Sequence, residues 1–202
     1  GNHLVQDVKF ETRIGDYAGR IWENWGGMNV DVNDGVATFK AEGNWYGLIQ
    51  NVHVLENHKY YFGCDVKSDI PNNTILAPYA YNVVFNEGVF KLTSDQWTHV
   101  SKIEVAKITA DDCSIGVRAA GSTTVIGATI SCKNIQCIDL TQMFGAGNEP
   151  TLEQFEAMLT RPDYPYNTGT LVSADVTAVQ VGDNVIQLPN SISLKSAGNV
   201  YD

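Results

Sequence analysis

The sequence predicts an all-β protein: a jelly-roll β-sandwich of about eight to ten antiparallel strands, followed by one short helix and a C-terminal β-hairpin. Short apolar runs with a period of two alternate with turn-forming residues along the first 140 positions. The 202 residues include 18 glycines, and Asn, Asp, Ser and Thr are frequent, as is typical of chains with many turns. Strands that alternate with helices, the pattern of α/β proteins, are absent from this region.

The first predicted hairpin joins runs 28–32 and 36–41, because Asp34-Gly35 between them tolerates the positive φ angles of a tight turn. Run 60–67 alternates strictly, with Tyr60 and Phe62 on one face and Tyr61 and Gly63 on the other. Further strands are predicted at 48–55, 79–85, 97–108, 114–119 and 124–140. The last run is long enough to contain a bulge near residues 133–134.

One helix is predicted at 151–159, where Thr151 and Gln154 have the spacing of a capping box and Pro162 ends the segment. Its apolar face must dock on an edge or end of the sandwich, because so short a helix is unstable alone. Runs 178–181 and 185–188 predict a further hairpin. We therefore divide the chain into a sandwich (1–140), a helical linker segment packed on it (141–172) and the start of a following β unit (173–202).

Composition excludes several classes of function. A formal net charge of −10 disfavours binding to nucleic acid or to an anionic membrane, and no apolar run is long enough for membrane insertion. No nucleophile elbow, zincin motif or P-loop occurs, so the chain is predicted not to be an enzyme. The cysteines lie in apolar runs; Cys132 and Cys137 should face opposite sides of a regular strand, and a Cys64–Cys113 bridge is left open.

Candidate ligand-binding residues are aromatic and amide side chains that fall outside the strand alternation. Flat aromatic faces suit pyranose rings, and amides suit their hydroxyl groups. The segment 44–47 is the best candidate, since Asn and Gly place two rings on a turn. Trp25 also falls outside the alternation, but Trp25 and Trp97 are expected in the core, as large aromatic residues of sandwiches usually are. The nominated ligand-binding residues are Trp45, Tyr46, Asn44, Trp22, Tyr79 and Tyr81.

Several short motifs are spaced along residues 2–140 in a familiar order. They are Phe10-Glu11, Trp25, Asp34-Gly35, Gln50-Asn51-Val52, Tyr60-Tyr61 and Ile138-Asp139. This order resembles that of jelly-roll carbohydrate-binding modules. The resemblance implies their fold and, in several of them, a structural calcium that joins the first and last strands. The matching ligands would be Glu11 and Asp139, whose oxygens suit Ca²⁺; the alternative is an edge-strand carboxylate and a strand-end cap.

A second resemblance concerns DLTQMFGAGNEPT (139–151), the helix after it and the exit DYPYNTGTL (163–171). This segment resembles one in tail and baseplate proteins of phages and prophages. It implies a viral structural protein in the virion tail or an extracellular location, with other tail protein domains as partners. Residues 188–202 resemble the start of a following region there, so we expect a fragment of a longer protein.

Together these observations predict a non-catalytic module for glycan binding and host recognition, with a cell-surface or plant polysaccharide as its ligand. The alternative is a purely structural spacer of a tail or baseplate assembly, because a fold does not fix a function. A glycan-degrading enzyme is a third reading, which two facing carboxylates in a cleft would favour. Whether the chain forms a homo-oligomer is left open.

Overall fold

The structure, a computed structural model, describes residues 3–86, 88–121, 124–160, 174–181 and 184–194. It confirms the predicted β-sandwich, in which two antiparallel sheets of five strands pack face to face. No helix in these ranges is long and apolar enough to cross a lipid bilayer.

The first sheet has the strand order β1-β4-β9-β6-β7. These strands are β1 (Glu23–Trp25), β4 (Gly47–Val54), β6 (Thr74–Ala80), β7 (Phe90–Lys91) and β9 (Ala110–Ala119). The second sheet has the order β2-β3-β10-β5-β8. Its strands are β2 (Val30–Asn33), β3 (Val36–Ala41), β5 (Lys59–Ser68), β8 (Thr98–Val105) and β10 (Ala128–Asp139). The remaining elements are α1 (Leu140–Phe144), α2 (Leu152–Leu159), β11 (Ala174–Val181) and β12 (Asn184–Leu194).

The main core lies between the two sheets and follows the predicted alternation. Tyr60 and Phe62 of β5 point inward and pack edge-on against Phe85, with ring centroids 5.6 and 4.9 Å from its centroid. The predicted hairpin joins β2 to β3, with φ of 50° at Asp34 and 75° at Gly35. The strand expected at 79–85 is wrong, since β6 covers Thr74–Ala80 and the chain then turns.

A second apolar cluster lies on the outer face of the second sheet, where both helices dock. Tyr61 and Ile138 of the sheet pack there against Phe144 of α1 and Phe155 of α2. The predicted capping box is present, with Thr151 N donating to Gln154 Oε1 over 2.9 Å and Gln154 N to Thr151 Oγ1 over 3.2 Å. Helix α1 was not predicted; β10 ends one residue earlier than expected, at the N-cap residue of α1.

The predicted bulge in β10 lies between Lys133, which pairs with Asp65, and Gln136, which pairs with Gly63. One extra residue in β10 reverses the side-chain alternation after this point. Cys132 and Cys137 consequently both face the core, and the expectation of opposite faces is wrong. The four cysteines are free and buried.

The Cys64–Cys113 disulfide left open by the sequence is not present, since Cys64 of β5 and Cys113 of β9 are both free. The C-terminal hairpin is confirmed by the pairing of β11 with β12, including Ala178 with Gln187. The boundaries that divide the chain into three units stay a prediction.

Candidate functional site

The outer face of the first sheet carries a row of side chains that crosses four strands. Trp25 pairs with Gly47, Gly47 with Arg118, and Arg118 with Leu76, so the row runs through β1, β4, β9 and β6. Leu48 and the valine before Arg118 lie in the core, so the members of the row point outward. Both described helices pack on the other sheet and leave this face uncovered.

Arg118 lies at the centre of an aromatic cluster on this face. Its guanidinium carbon is 5.0 Å from the ring centroid of Trp25, 5.5 Å from that of Trp45 and 5.0 Å from that of Tyr79. Its Nε atom donates to the carbonyl oxygen of Trp45 over 3.0 Å, and Nη1 donates to the Tyr79 hydroxyl over 3.3 Å. One side chain therefore fixes three rings by cation–π contacts and hydrogen bonds. We call these four residues the aromatic platform.

Gly47 makes room for this arrangement. A Cβ atom at this position would lie 2.6 Å from Arg118 Cγ and 2.3 Å from the carbonyl oxygen of Val117. Only glycine lets the Arg118 side chain cross β4 toward Trp25. Trp45 has a φ of 69°, a left-handed conformation that is uncommon and costly for a large side chain. Its carbonyl bond to Arg118 helps to hold this conformation.

Two members of the platform are exposed to solvent, Arg118 is half-buried and Tyr79 is buried. Trp25 and Trp45 have 46% and 44% of their surface exposed, whereas Tyr79 is 6% exposed beneath Arg118. Ile49 and Leu76 pack with Tyr79 in a small apolar cluster that forms the floor of the platform. The site therefore presents two rigidly held indole rings above an apolar base.

Polar groups lie farther along the same face. Ser114 Oγ donates to Asn51 Oδ1 over 2.9 Å, and both residues point outward from paired positions on β9 and β4. Asn51 is exposed and Ser114 is half-buried. Asn51 lies four residue steps along β4 from Gly47, a distance of about 13 Å. An extended ligand that lies along β4 would meet indole rings first and amide groups next.

The structure brings only some of the predicted ligand-binding residues together. Trp45 and Tyr79 belong to the aromatic platform, and Asn44 lies exposed beside Trp45. Tyr46 is half-buried against the core, and Tyr81 is 41% exposed just beyond β6.

Trp22 is wrong as a ligand-binding residue, because it is fully buried. Its Nε1 atom donates to the carbonyl oxygen of Asp7 over 2.7 Å, and its ring packs on Phe10 with centroids 4.9 Å apart. Trp25 and Trp97, expected in the core, are instead 46% and 39% exposed.

Arg118 was missed, although a charged residue between two core positions of an apolar strand indicates an outward-facing side chain. Trp25 was among the aromatic candidates but was not nominated as a site residue, because large aromatic residues of sandwiches usually lie in the core.

Of the two predicted calcium ligands, Asp139 already has protein partners for both of its oxygens. Asp139 is 3% exposed, and its oxygens accept hydrogen bonds from Gln142 N over 2.9 Å and from His58 Nδ1 over 2.8 Å. Asp139 ends β10 and is the N-cap of α1, as expected if this carboxylate is a strand-end cap. Among the described residues, no group of three or more His, Cys, Asp or Glu side chains is placed to hold a metal ion. Asp139 is therefore held without an ion, and the calcium site implied by the sequence resemblance stays a prediction.

A cleft of about 470 Å³ lies beside the edge of β4. Two carboxylates line it, and each has a cationic or imidazole partner: Glu23 is 3.0 Å from Arg20, and Asp139 is 2.8 Å from His58. Glycoside hydrolysis needs one carboxyl group as a proton-donating acid and a second as base or nucleophile. In this cleft both carboxylates are engaged in the pairs just described.

Comparison with known proteins gives similarity of fold alone. No protein-family model and no curated protein sequence matches the chain. An arabinose-bound GH51 α-L-arabinofuranosidase is 14% identical with a TM-score of 0.53; the match covers 69% of this chain and spans 26% of the enzyme. A CBM4 structure is 17% identical with a TM-score of 0.50, covering 67% of this chain and 99% of the module. The N-terminal cellulose-binding domain of a Cellulomonas fimi β-1,4-glucanase is 16% identical over 59% of this chain and 87% of its own, with a TM-score of 0.45.

Proposed function

We propose that the chain is a non-catalytic glycan-binding module and that the aromatic platform is its binding site. The observation that carries this proposal is the pair of exposed indole rings, Trp25 and Trp45, both held against Arg118 on a sheet face that the described helices leave uncovered. Exposed apolar side chains that cluster at one place mark an interaction surface.

The geometry suits a saccharide better than other ligands. The axial C–H groups of a pyranose pack on a flat ring, and the hydroxyl groups around its rim need hydrogen-bond partners such as Asn51 and Ser114. The indoles are already fixed by Arg118, so little side-chain entropy is lost when a ligand binds. The chain's net charge of −10 makes nucleic acid, the other common ligand of aromatic platforms, a poor candidate.

The fold similarity supports the same proposal. The CBM4 structure matches nearly its whole length on this chain, and the sequence pattern of residues 2–140 resembles that of carbohydrate-binding modules. Similarity of fold does not itself assign a ligand, so the proposal depends on the platform.

We further propose that the module serves host or glycan recognition in a phage or prophage tail protein, in the virion tail or extracellularly. The resemblance of residues 139–171 to tail and baseplate proteins supports this setting. Its ligand would be a cell-surface or plant polysaccharide, and its neighbours would be other domains of the tail.

The test is affinity electrophoresis of the purified chain in gels that contain bacterial cell-wall or plant polysaccharides. We expect one glycan to retard the wild type, and Trp25→Ala and Trp45→Ala each to weaken binding about tenfold, about 1.4 kcal/mol. Trp97→Ala is the matched control, because Trp97 is similarly exposed but stacks on Lys133 of the second sheet. Equal retardation of all three variants would contradict the proposed site. No retardation by any glycan would favour the structural spacer.

A further inference from the structure

Among the described residues, the cation at the centre of the aromatic platform has no anionic partner. The ion pairs among the described residues involve Arg20 and three histidines, and no carboxylate lies within 4.0 Å of Arg118 in that part of the chain. Arg118 is nevertheless half-buried between aromatic rings. A guanidinium does not deprotonate in proteins, so the platform carries a permanent, partly desolvated positive charge.

The hydrogen-bond donors of this guanidinium are only partly used. Of its five N–H groups, Nε bonds the Trp45 carbonyl and one group of Nη1 bonds the Tyr79 hydroxyl. Within the described residues, the other three N–H groups, including both on Nη2, have no protein acceptor. The two bonds that are made fix the plane of the guanidinium, so the remaining donors are oriented before a ligand arrives.

We propose that the aromatic platform selects an acidic glycan, in which the carboxylate of a uronic acid residue binds Arg118 while an adjacent sugar ring stacks on Trp25 or Trp45. This inference rests on the glycan-binding function proposed above and names the ligand class of that site. The planar guanidinium matches a planar carboxylate, and a charge-assisted pair is about twice as strong as a neutral hydrogen bond.

A neutral polysaccharide would leave this charge without an anionic partner and beneath a ligand that excludes water. Burying an unpaired charge is unfavourable, so a neutral ligand would bind less tightly than its acidic counterpart. The net charge of −10 also excludes general attraction to polyanions. Selectivity for the acid must therefore arise from the short-range contact at Arg118, and moderate salt should leave most of it intact.

The experiment is calorimetric titration of the full chain with oligogalacturonate and oligoglucuronate of about six residues, each beside its methyl ester, since the paired ligands then differ only in whether each sugar carries a carboxylate or its neutral ester. We expect at least one acid to bind about tenfold tighter than its ester. Arg118→Gln should abolish the difference, and Arg118→Lys should retain part of it, because lysine keeps the charge without the planar fork. Arg13→Gln is the matched control, because Arg13 lies 4.7 Å from the Tyr17 ring but on another part of the surface.

The side-chain Nε–H resonance of Arg118 in the wild type gives a second readout that does not depend on a variant. It should shift when the acid is added and remain still with the ester. If every acid binds no tighter than its ester while some neutral glycan binds, the acidic selectivity is overturned and the glycan-binding function stands. Absence of binding to any glycan would overturn both. If dextran sulfate bound as tightly as the uronic acid oligomers, the assignment of a carboxylate as the group that binds Arg118 would be overturned.

Discussion

The Nε2 atom of His99 lies 3.0 Å from Oε1 of Glu156, so a side chain of β8 is joined to a side chain of α2. The same imidazole contacts Asp65 Oδ1 through Nδ1 at 2.8 Å, and the buried Tyr61 hydroxyl donates to Glu156 Oε1 over 2.5 Å. These four side chains fasten α2 to the second sheet beside the apolar cluster that it covers. The contact depends on the protonation of His99, because both of its partners are carboxylates.

This network predicts a pH-dependent stability. Hydrogen bonds to Asp65 and then to Glu156 raise the pKa of His99 from 6.5 to about 10. A group whose pKa is raised on folding stabilises the fold fully below its unfolded pKa, so this contribution should fade as the pH rises from about 6.5 to about 10.

The two carboxylates act in the opposite direction. Burial alone would raise the pKa of Asp65 and of Glu156, but hydrogen bonds from His99 and neighbouring groups hold both below their usual range. Their contribution is present above about pH 4.5 and fades in more acidic solution.

Urea unfolding tests the role of His99. The free energy of unfolding of the wild type should exceed that of His99→Gln at pH 6.5, and the difference should disappear as the pH rises to about 10. A constant difference across this range would contradict the assignment.

Gly116→Ala should be strongly destabilising. A Cβ atom at Gly116 would lie 1.9 Å from the carbonyl oxygen of Leu48 on the neighbouring strand, and the residue has a φ of 152°. Because the obstacle is backbone, β4 and β9 must move apart, and we expect a loss of about 3 kcal/mol or failure to fold. Thermal unfolding measures the effect. Gly15→Ala is the control, since its Cβ would meet only the Tyr17 ring at 3.5 Å and should change the stability by less than about 1 kcal/mol.

The four cysteines should be unreactive in the folded chain. Burial raises the pKa of Cys113 to about 11 and that of Cys132 to about 12, and it also raises the pKa values of Cys64 and Cys137. Since the thiolate is the reactive form, a thiol reagent at pH about 8 should modify the native chain very slowly. In denaturant without reductant, all four thiols should react. If only two thiols reacted in denaturant, the chain would contain a disulfide that is absent from the described structure.

Removal of divalent ions should leave the fold unchanged. Asp139 caps α1 and bonds His58, so its carboxylate is held in place by protein partners. We expect the melting temperature to be the same with and without EDTA, whereas Asp139→Ala should cost about 1 kcal/mol through the lost cap. A fall in melting temperature with EDTA that calcium restores would support the calcium ligands implied by the sequence resemblance.

Much of the sandwich could be predicted from local patterns. The alternation of β5, the Asp34-Gly35 turn and the Thr151–Gln154 capping box each depend on residues a few positions apart. The faces of Cys132 and Cys137 could not be predicted in this way. One extra residue in β10 reverses the alternation, and no local pattern fixes how many residues a bulge inserts.

The aromatic platform required information that no local pattern contains. Trp25 and Arg118 become neighbours only because β1 and β9 flank β4 in a particular register. Trp22 and Trp25 are three residues apart but differ in burial. Trp22 lies before β1 and packs inward, whereas Trp25 lies on the outward face of β1. Trp45 was predicted because glycine and asparagine around it mark a turn, which is a local signal.

The helices and the aromatic platform occupy opposite outer faces of the sandwich. The domain therefore has one outer face available for attachment and another for ligand binding. A support or neighbouring domain that attaches at the helical face would leave the indole rings exposed, so attachment and ligand binding can occur at the same time. Many copies mounted in one orientation would display their rings as a coplanar array. Such an array would bind ligands that repeat along a surface more tightly than isolated ligands, because each further contact forms at a high effective concentration.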